Sequence, residues 1–408
     1  MKPHAPLDAF TVSNEQLLVG NHTAVELENL VGSTPLYAYD KSIIANQVKQ
    51  LKKVLPSQVK LHYAIKANPL PSLVHYMAGL VDGFDVASRK ELLLAMQTSM
   101  AASEISFAGP GKQESDLITA ITAGATLHVE SFHEFNQINA IAKKLAKTPN
   151  IAFRVNPSFE LKASGMKMAG GAKPFGIDQE QLIDFLPSID TNLICLKGFH
   201  IYTGSQNLNA TSLIEAHTST IELAKQLLNA APCSVDYINI GGGFGIPYFP
   251  GESQLDMMPI VENLNQLLQQ EKSIFNEIDI ILELGRYLVG EAGVYITKVV
   301  DKKESRGETF VVCDGGLHHH LANSGNFGQV IRKNYPVVIA NKMHTEPEEK
   351  VVNIVGPLCT PLDIIAHKVT LPAIDIGDYV AVMRSGAYGA TASPINFLSQ
   401  SSVYEILL

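Results

Sequence analysis

Leu61-His62-Tyr63-Ala64-Ile65-Lys66-Ala67-Asn68-Pro69 is the stretch from which the fold is read. Leu61, Tyr63 and Ile65 alternate with His62 and Ala64, the two-residue period of a strand, and aromatic and β-branched residues are frequent. Asn68-Pro69 ends the strand, because the residue before proline is pushed out of helical space. Lys66 therefore sits where a strand hands over to a loop. In an α/β barrel that position is the C-terminal rim, the side that carries chemistry. Two readings of such a lysine stay open. It is either a stem packed on the core with its ammonium reaching water, or an amine in a pocket that lowers its pKa and lets it form a Schiff base.

Working outward, strand-like and helical patterns alternate. Residues 34–39 read as a strand, Asp40 caps the helix after it, and Ile43, Val48, Leu51 and Val54 give that helix an apolar face. Further strands fall at 81–88, 105–108, 126–129, 151–155, 196–201, 237–240 and 278–282, with helical stretches between several of them. Strands spaced by helices imply βαβ units and a parallel sheet. About eight such units fit before residue 285, the size of a closed barrel. The predicted fold is therefore α/β, a (β/α)8 TIM-type barrel over residues 34–285. After Arg286 short strands follow one another at 294–300, 309–313, 350–355, 369–371, 379–383 and 403–407 with few helices. That texture predicts a second, mostly β domain, a sandwich or Greek-key barrel.

At 408 residues two domains are the natural expectation. A hydrophobic content of 46% with 17% charged residues is that of a globular chain. The net charge of -9 disfavours nucleic acid and anionic membrane as partners, since both require a basic surface. Cys195, Cys233, Cys313 and Cys359 are widely spaced without a paired motif, which fits reduced thiols in a cytoplasm rather than disulfides or a zinc site. The N-terminus lacks the charged-then-apolar pattern of a signal, and no apolar run is long enough to span a bilayer. The expected localisation is cytoplasmic.

Asn239-Ile240-Gly241-Gly242-Gly243-Phe244-Gly245 follows a strand directly. Glycines let backbone N–H groups converge on a phosphate, and barrels of this type often place a phosphate site in their late βα loops. His318-His319-His320 invites a metal reading, but neighbours on a strand point to opposite sides, so three successive histidines cannot face one ion. No metal is expected, and these histidines are read as surface or substrate-side residues.

YAIKANP followed by GFDVAS resembles the lysine region of the ornithine, diaminopimelate and arginine decarboxylases, the alanine-racemase-like barrel enzymes that use pyridoxal 5'-phosphate. The resemblance runs from Lys66 to Tyr388. It implies that Lys66 holds the cofactor covalently, that Asp85 lies beside it, and that residues 1–33 join residues 286–408 in the β domain. Leu282-Glu283-Leu284-Gly285-Arg286 resembles the family's Glu-Pro-Gly-Arg, with leucine for proline. Glu283 is then the partner of the pyridine nitrogen and Arg286 a phosphate or substrate ligand. In Gly198-Phe199-His200-Ile201-Tyr202-Thr203-Gly204-Ser205, the family's stacking histidine stands three residues before the serine. That position is Tyr202 here, so the stacking role passes to Tyr202, His200 is expected to point elsewhere, and Ser205 meets the phosphate. Gly241, Gly242 and Gly243 form the phosphate loop, Arg154 lies near the ring, and Tyr388 completes the phosphate cup. Cys359, in Gly356-Pro357-Leu358-Cys359, matches the thiol that protonates the substrate α-carbon. The family shares its active sites across a homodimer, with the cysteine loop supplied by the partner.

The implied activity is α-decarboxylation of an amino acid or amino-acid derivative. Diaminopimelate decarboxylase proper is one alternative; a racemase or a non-catalytic cofactor-binding regulator on the same fold is another. Cys359 speaks against the racemase, because racemases of this fold lack the Gly-Pro-x-Cys element. Diamine-producing relatives place aspartate after that cysteine and diaminopimelate enzymes glutamate, whereas Thr360 stands there in this chain. Asp363 and Glu291 are the acids that would otherwise supply the missing charge. The segment that grips diaminopimelate's distal carboxylate has only Arg332 and Tyr335 as counterparts. Residues 204–208, 241–252, 284–293, 314–337 and 356–363 look more like the decarboxylases associated with bacterial exosortase and exopolysaccharide clusters. Their relatives include an enzyme acting on a glutamyl group tethered to an acyl carrier protein. An amino-acid substrate, delivered free or by such a carrier, is therefore expected.

Overall fold

The computed structural model describes residues 3–160, 166–324, 333–346 and 351–408. The chain divides into two compact units, one of Gln47–Ile246 with Leu255–Tyr287, the other of Met1–Asn46, Pro247–Gln254 and Leu288–Leu408.

The first unit is the predicted (β/α)8 barrel. Its strands are β1 (Val59–Ala64), β2 (Gly83–Val86), β3 (Ile105–Phe107), β4 (Thr126–Val129), β5 (Asn150–Asn156), β6 (Cys195–Ile201), β7 (Tyr237–Asn239) and β8 (Asp279–Leu284). They pair in parallel in chain order, and β8 closes the ring on β1, with Glu283 opposite His62. A short strand, Ile177–Asp178, adds to β5 outside the ring. Both faces of every strand are covered, as parallel sheets require. The outer face is apolar: Leu61, Tyr63, Phe84, Leu127, Phe153, Phe199, Ile238 and Leu282 are fully buried. Phe153 shows the packing, its ring 5.7 Å from that of Phe135 on the helix Phe132–Leu145.

The inner face departs from the usual pattern, in which Val, Ile and Leu fill a barrel in layers. Here His62, Asp85, Ser106, Thr126, His128, Arg154, His200, Asn239 and Glu283 are all buried, spread over all eight strands. The axis of this barrel is polar.

The second unit is a mostly β domain. Its long strand Gly293–Ser305 pairs with Leu36–Tyr39, Tyr379–Val382 and Glu308–Cys313, and the sheet continues through Val351–Val355 to Ile364–Thr370. Leu36–Tyr39 also takes Tyr404–Leu407 as a parallel neighbour. This corrects the sequence reading, which began the barrel at residue 34. Leu36, Tyr37, Ala38 and Tyr39 are all buried within the β unit, where the periodicity of a short apolar strand cannot tell one sheet from another.

Gly198 lies where β6 and β7 approach closely: a Cβ there would stand 2.1 Å from the Tyr237 carbonyl oxygen, a backbone atom. Gly198→Ala is expected to destabilise the fold by about 1–3 kcal/mol, read as a lower denaturation midpoint with an unchanged slope.

Candidate active site

Lys66 occupies a single 3₁₀ turn, Ile65–Ala67, immediately after β1. Its Nζ donates to Asp85 Oδ2 at 3.2 Å and to Glu283 Oε1 at 3.4 Å. Both carboxylates are inaccessible to solvent, while the lysine side chain is 36% exposed. The amine is thus reachable from the rim but anchored from below. Burial raises the Asp85 carboxyl above the ordinary aspartate range, Glu283's charge raises it further, and Lys66 opposes both. Ser106 Oγ donates to the other Asp85 oxygen at 3.2 Å.

Glu283 is held from a second side. Asn239 Nδ2 donates to Glu283 Oε2 at 3.4 Å, and Asn239 Oδ1 accepts the Gly241 backbone N–H at 2.8 Å. The same side chain therefore fixes the carboxylate and the start of the glycine loop. Gly241 and Gly243 have φ of +69° and +96°, conformations that favour glycine. A Cβ on Gly242 would lie 2.0 Å from the Glu283 carbonyl oxygen. The loop is pinned across its width: Asn207 N–H donates to the Gly243 carbonyl at 2.8 Å, and Gln206 Nε2 to the Ile246 carbonyl at 2.6 Å. Those two residues directly follow Ser205, whose strand Gly204–Ser205 pairs with Met166–Lys167. Serine loop and glycine loop are thereby held side by side. Arg286 opens the short helix Arg286–Val289 just beyond β8.

Tyr202 lies over this cluster, with Lys66 Nζ 5.8 Å and Arg154 Cζ 6.0 Å from its ring centroid. Arg154 is buried, donates to Glu130 Oε1 at 2.9 Å, and stacks 4.9 Å from the Phe175 ring. His200 does not point away from the site. It is buried inside the barrel with Nε2 3.3 Å from Glu283 Oε2, because it shares the inner face of β6.

In the β unit Cys359 is exposed at the tip of a tight loop. Asp363 shapes that loop: its carboxylate accepts from Leu358 N–H at 2.8 Å and Leu317 N–H at 2.6 Å, and its carbonyl from Gly356 N–H at 3.0 Å. Glu291 accepts from Arg384 Nε at 3.1 Å and Gln254 Nε2 at 2.8 Å. Both acids weighed as substitutes for a charge at position 360 are thus engaged elsewhere. Thr360 Oγ1 accepts Leu362 N–H at 3.3 Å, inside the same turn. Tyr388 has φ of +54° in the loop after Ser385. Tyr335 is buried against Tyr248, ring centroids 4.6 Å apart, and Arg332 lies outside the described residues. His318, His319 and His320 are buried rather than at the surface. His319 Nε2 pairs with the Ser401 carbonyl at 2.8 Å and His320 Nε2 with Ser385 Oγ at 2.9 Å. Among the described residues no group of three or more metal-ligating side chains converges.

Sequence reasoning missed Asn239, Gln206, Asn207, Ser106 and His128. For Ser106, His128 and Asn239 the signal was present, a polar residue within an otherwise apolar strand; Gln206 and Asn207 lie in the loop after Ser205.

Lys66, over two buried carboxylates and beside a glycine loop and an aromatic ring at the C-terminal rim, lies where barrel enzymes carry their chemistry. The chain belongs to the pyridoxal-dependent decarboxylases: the profile of their pyridoxal-binding domain matches residues 41–290. It is 37% identical, over 92% of its length and 88% of the relative's, to the L-glutamyl-[BtrI acyl-carrier protein] decarboxylase of Niallia circulans. It is 32% identical to the diaminopimelate decarboxylase of Aquifex aeolicus, over 93% of this chain and 87% of that one. The Staphylococcus aureus 2-[(L-alanin-3-ylcarbamoyl)methyl]-2-hydroxybutanedioate decarboxylase is 31% identical over 89% and 91% of the two chains. The structure of Helicobacter pylori diaminopimelate decarboxylase complexed with L-lysine superposes with a TM-score of 0.82 at 26% identity, covering 94% of each chain. The reaction class is decarboxylation of an amino acid or its derivative, and the residues present fit pyridoxal phosphate. Among the described residues no helix is long and apolar enough to cross a membrane.

Asp85 supplies a stability prediction for the cofactor-free protein. Its folded pKa lies above the unfolded value of about 3.9, so folding stability falls as pH rises through that window and the penalty is complete above the folded value. Asp85→Asn is therefore expected to raise the apoprotein melting temperature at pH 7, by an amount that shrinks as pH is lowered toward about 4. A melting temperature that drops at pH 7 would contradict the electrostatic account.

Proposed function

We propose that this enzyme decarboxylates an amino acid whose distal end carries no free charge, such as a glutamyl group in acyl linkage to a carrier protein. The observation that carries the reading is Thr360, placed directly after the loop cysteine, with Asp363 and Glu291 both held by other groups. The Niallia circulans relative, whose name specifies a carrier-bound glutamyl group, supports the same direction.

Pyridoxal phosphate, when bound, supplies an electron sink for the electron pair left as CO2 departs. The rest falls to this chain. Lys66 would hold the cofactor. Glu283, steadied by Asn239 and Lys66, would keep a proton on the ring nitrogen. Tyr202, Asp85 and Arg154 would line the place of the ring. Ser205, the N–H groups of Gly241, Gly242 and Gly243, Arg286 and Tyr388 would hold the phosphate. The Cys359 thiol, which Asp363 positions through the Leu358 N–H, gives its proton to the substrate α-carbon. Exposure of Cys359 on its own chain fits a thiol that serves the barrel of a second copy, in a homodimer with shared sites. Tyr335 is assigned to the substrate side.

A distal ammonium brought into a closed pocket without a counter-charge loses hydration worth several kcal/mol. A threonine hydroxyl recovers only about 0.5–1.5 kcal/mol, and each 1.4 kcal/mol is roughly tenfold. Free diaminopimelate, ornithine and lysine are therefore expected to release CO2 with kcat/KM at least about tenfold below that of a carrier-bound glutamyl group. Thr360→Glu is expected to narrow that gap for diaminopimelate. Efficient turnover of free diaminopimelate by the wild-type enzyme would replace this reading with that of a diaminopimelate decarboxylase.

Cys359→Ala is expected to retain bound cofactor while its turnover falls by about 10²-fold or more, the range of a positioned proton donor. Unchanged turnover would remove the thiol from the reaction.

A further inference from the structure

Beneath the cluster of Lys66, Asp85 and Glu283 the barrel axis carries side chains that the reaction above does not use. His200 Nε2 lies 3.3 Å from Glu283 Oε2. The His200 and His128 rings lie 4.4 Å apart between centroids, and His128 Nε2 lies 3.1 Å from the Tyr237 hydroxyl. Tyr237 begins β7, and with His62, Lys60, Thr126 and Asp279 it lines a cavity of about 680 Å³ at the N-terminal mouth. His62 stands opposite Glu283 in the β1–β8 register, and its ring fills space that a Cβ on Gly83 would enter, 2.4 Å from Nε2.

Among the described residues, five ring nitrogens along this axis make no hydrogen bond: both of His62, both of His200, whose Nε2 only approaches Glu283, and Nδ1 of His128. Buried polar groups are satisfied by protein or by ordered water; His62 and Tyr237 line the cavity at the mouth, which is wide enough for water, and Tyr237 leads on to His128 and His200. We infer that His62, His128, His200 and Tyr237 line a hydrated proton path that connects Glu283 with solvent at the N-terminal mouth of the barrel. The inference rests on the reading of Glu283 as the partner of the ring nitrogen.

The chemistry balances without another reagent. A hydronium ion at the mouth gives up one proton and becomes water. O–H and N–H bonds then break and form in turn along hydroxyl, imidazoles and water, each ring regaining its starting proton count. One proton reaches the Glu283 carboxylate for each one that leaves solvent, and the reverse passage releases it. Burial keeps all three imidazoles neutral, so each offers one donor and one acceptor. The charges that face them are Glu283, Asp85, Lys66, Lys112 and Arg154 around His128 and His200, and Glu283, Asp85, Asp82 and Lys60 around His62. The function follows from position. A substrate seated at the C-terminal rim covers Lys66 and the carboxylates from above, and a path from the opposite mouth lets them exchange protons while covered.

The test is a stopped-flow pH jump on the holoenzyme, read as relaxation of the cofactor's visible band. Tyr237→Phe keeps the ring and removes the hydroxyl. It is expected to leave the equilibrium spectrum unchanged and slow the relaxation about tenfold or more, since a positioned proton carrier is worth about 10²–10⁴-fold and water substitutes in part. Attaching a bulky maleimide to Cys233, an exposed thiol of the mouth, in a Cys359→Ser background is expected to do the same. Relaxation at the wild-type rate in both would overturn the path. A crystal structure of the cofactor-free protein decides the hydration independently: ordered waters against His62, His128 and His200 support it, and a dry axis contradicts it. Failure to bind pyridoxal phosphate would instead sink the functional reading, while the apoprotein waters would still judge the path.

Discussion

Lys66 is held between two carboxylates that see no solvent, and the rest of the barrel is arranged around that constraint. One ammonium faces two carboxyls taken out of water, and burial raises the Asp85 carboxyl above its ordinary range. Such an arrangement is unfavourable for folding unless surrounding groups hold it. Asn239 and Ser106 each donate to one carboxylate, and strand pairing on both sides of β8 fixes the backbone that bears Glu283. The polar inner face is the consequence: an apolar axis would leave these groups without the donors and acceptors they need. In the proposed function, a protonated ring nitrogen would be the group that this cluster is built to face.

The β unit solves a different problem, the placement of a thiol on a loop. Asp363 converts a flexible Gly-Pro-x-Cys turn into a fixed one by accepting two backbone N–H groups from separate segments. Gly316 and Gly356 make room for that carboxylate, since a Cβ at either would stand 2.2 or 2.3 Å from its oxygens. The loop's apex is left for Cys359 and Thr360, so the residues read as proton donor and specificity determinant share one support. The same support explains why Asp363 is not available as a distal charge.

The barrel was legible because β-strand period, proline punctuation and helix spacing are local, and Lys66, Glu283 and the glycine run fall at strand ends where local signals are sharpest. Tyr202 was singled out through the family resemblance, and its ring lies 5.8 Å from Lys66 Nζ; its stacking role belongs to the proposal. The strand Leu36–Tyr39 was misplaced because its pairing with Gly293–Ser305 joins segments about two hundred and fifty residues apart, and no local pattern reports that. His200 was misjudged for a related reason. Its direction follows from the pleat of β6, while Glu283, 3.3 Å from its Nε2, lies on a strand two places round the ring. Gln206 and Asn207 went unread because they bond to the backbone of the glycine loop, which leaves no mark of composition. The buried state of His318, His319 and His320 was equally hidden, since the carbonyl and hydroxyl that receive two of them lie in distant loops.

Everything in the account depends on Lys66 being the residue to which the cofactor attaches. Borohydride reduction of the holoenzyme followed by peptide mapping measures this directly. The account predicts that the reduced pyridoxyl group is found on the peptide containing Lys66, at stoichiometry near one per chain, and on no other lysine. A label on Lys112, Lys298 or any other amine, or a protein that retains no label after reduction, would contradict it.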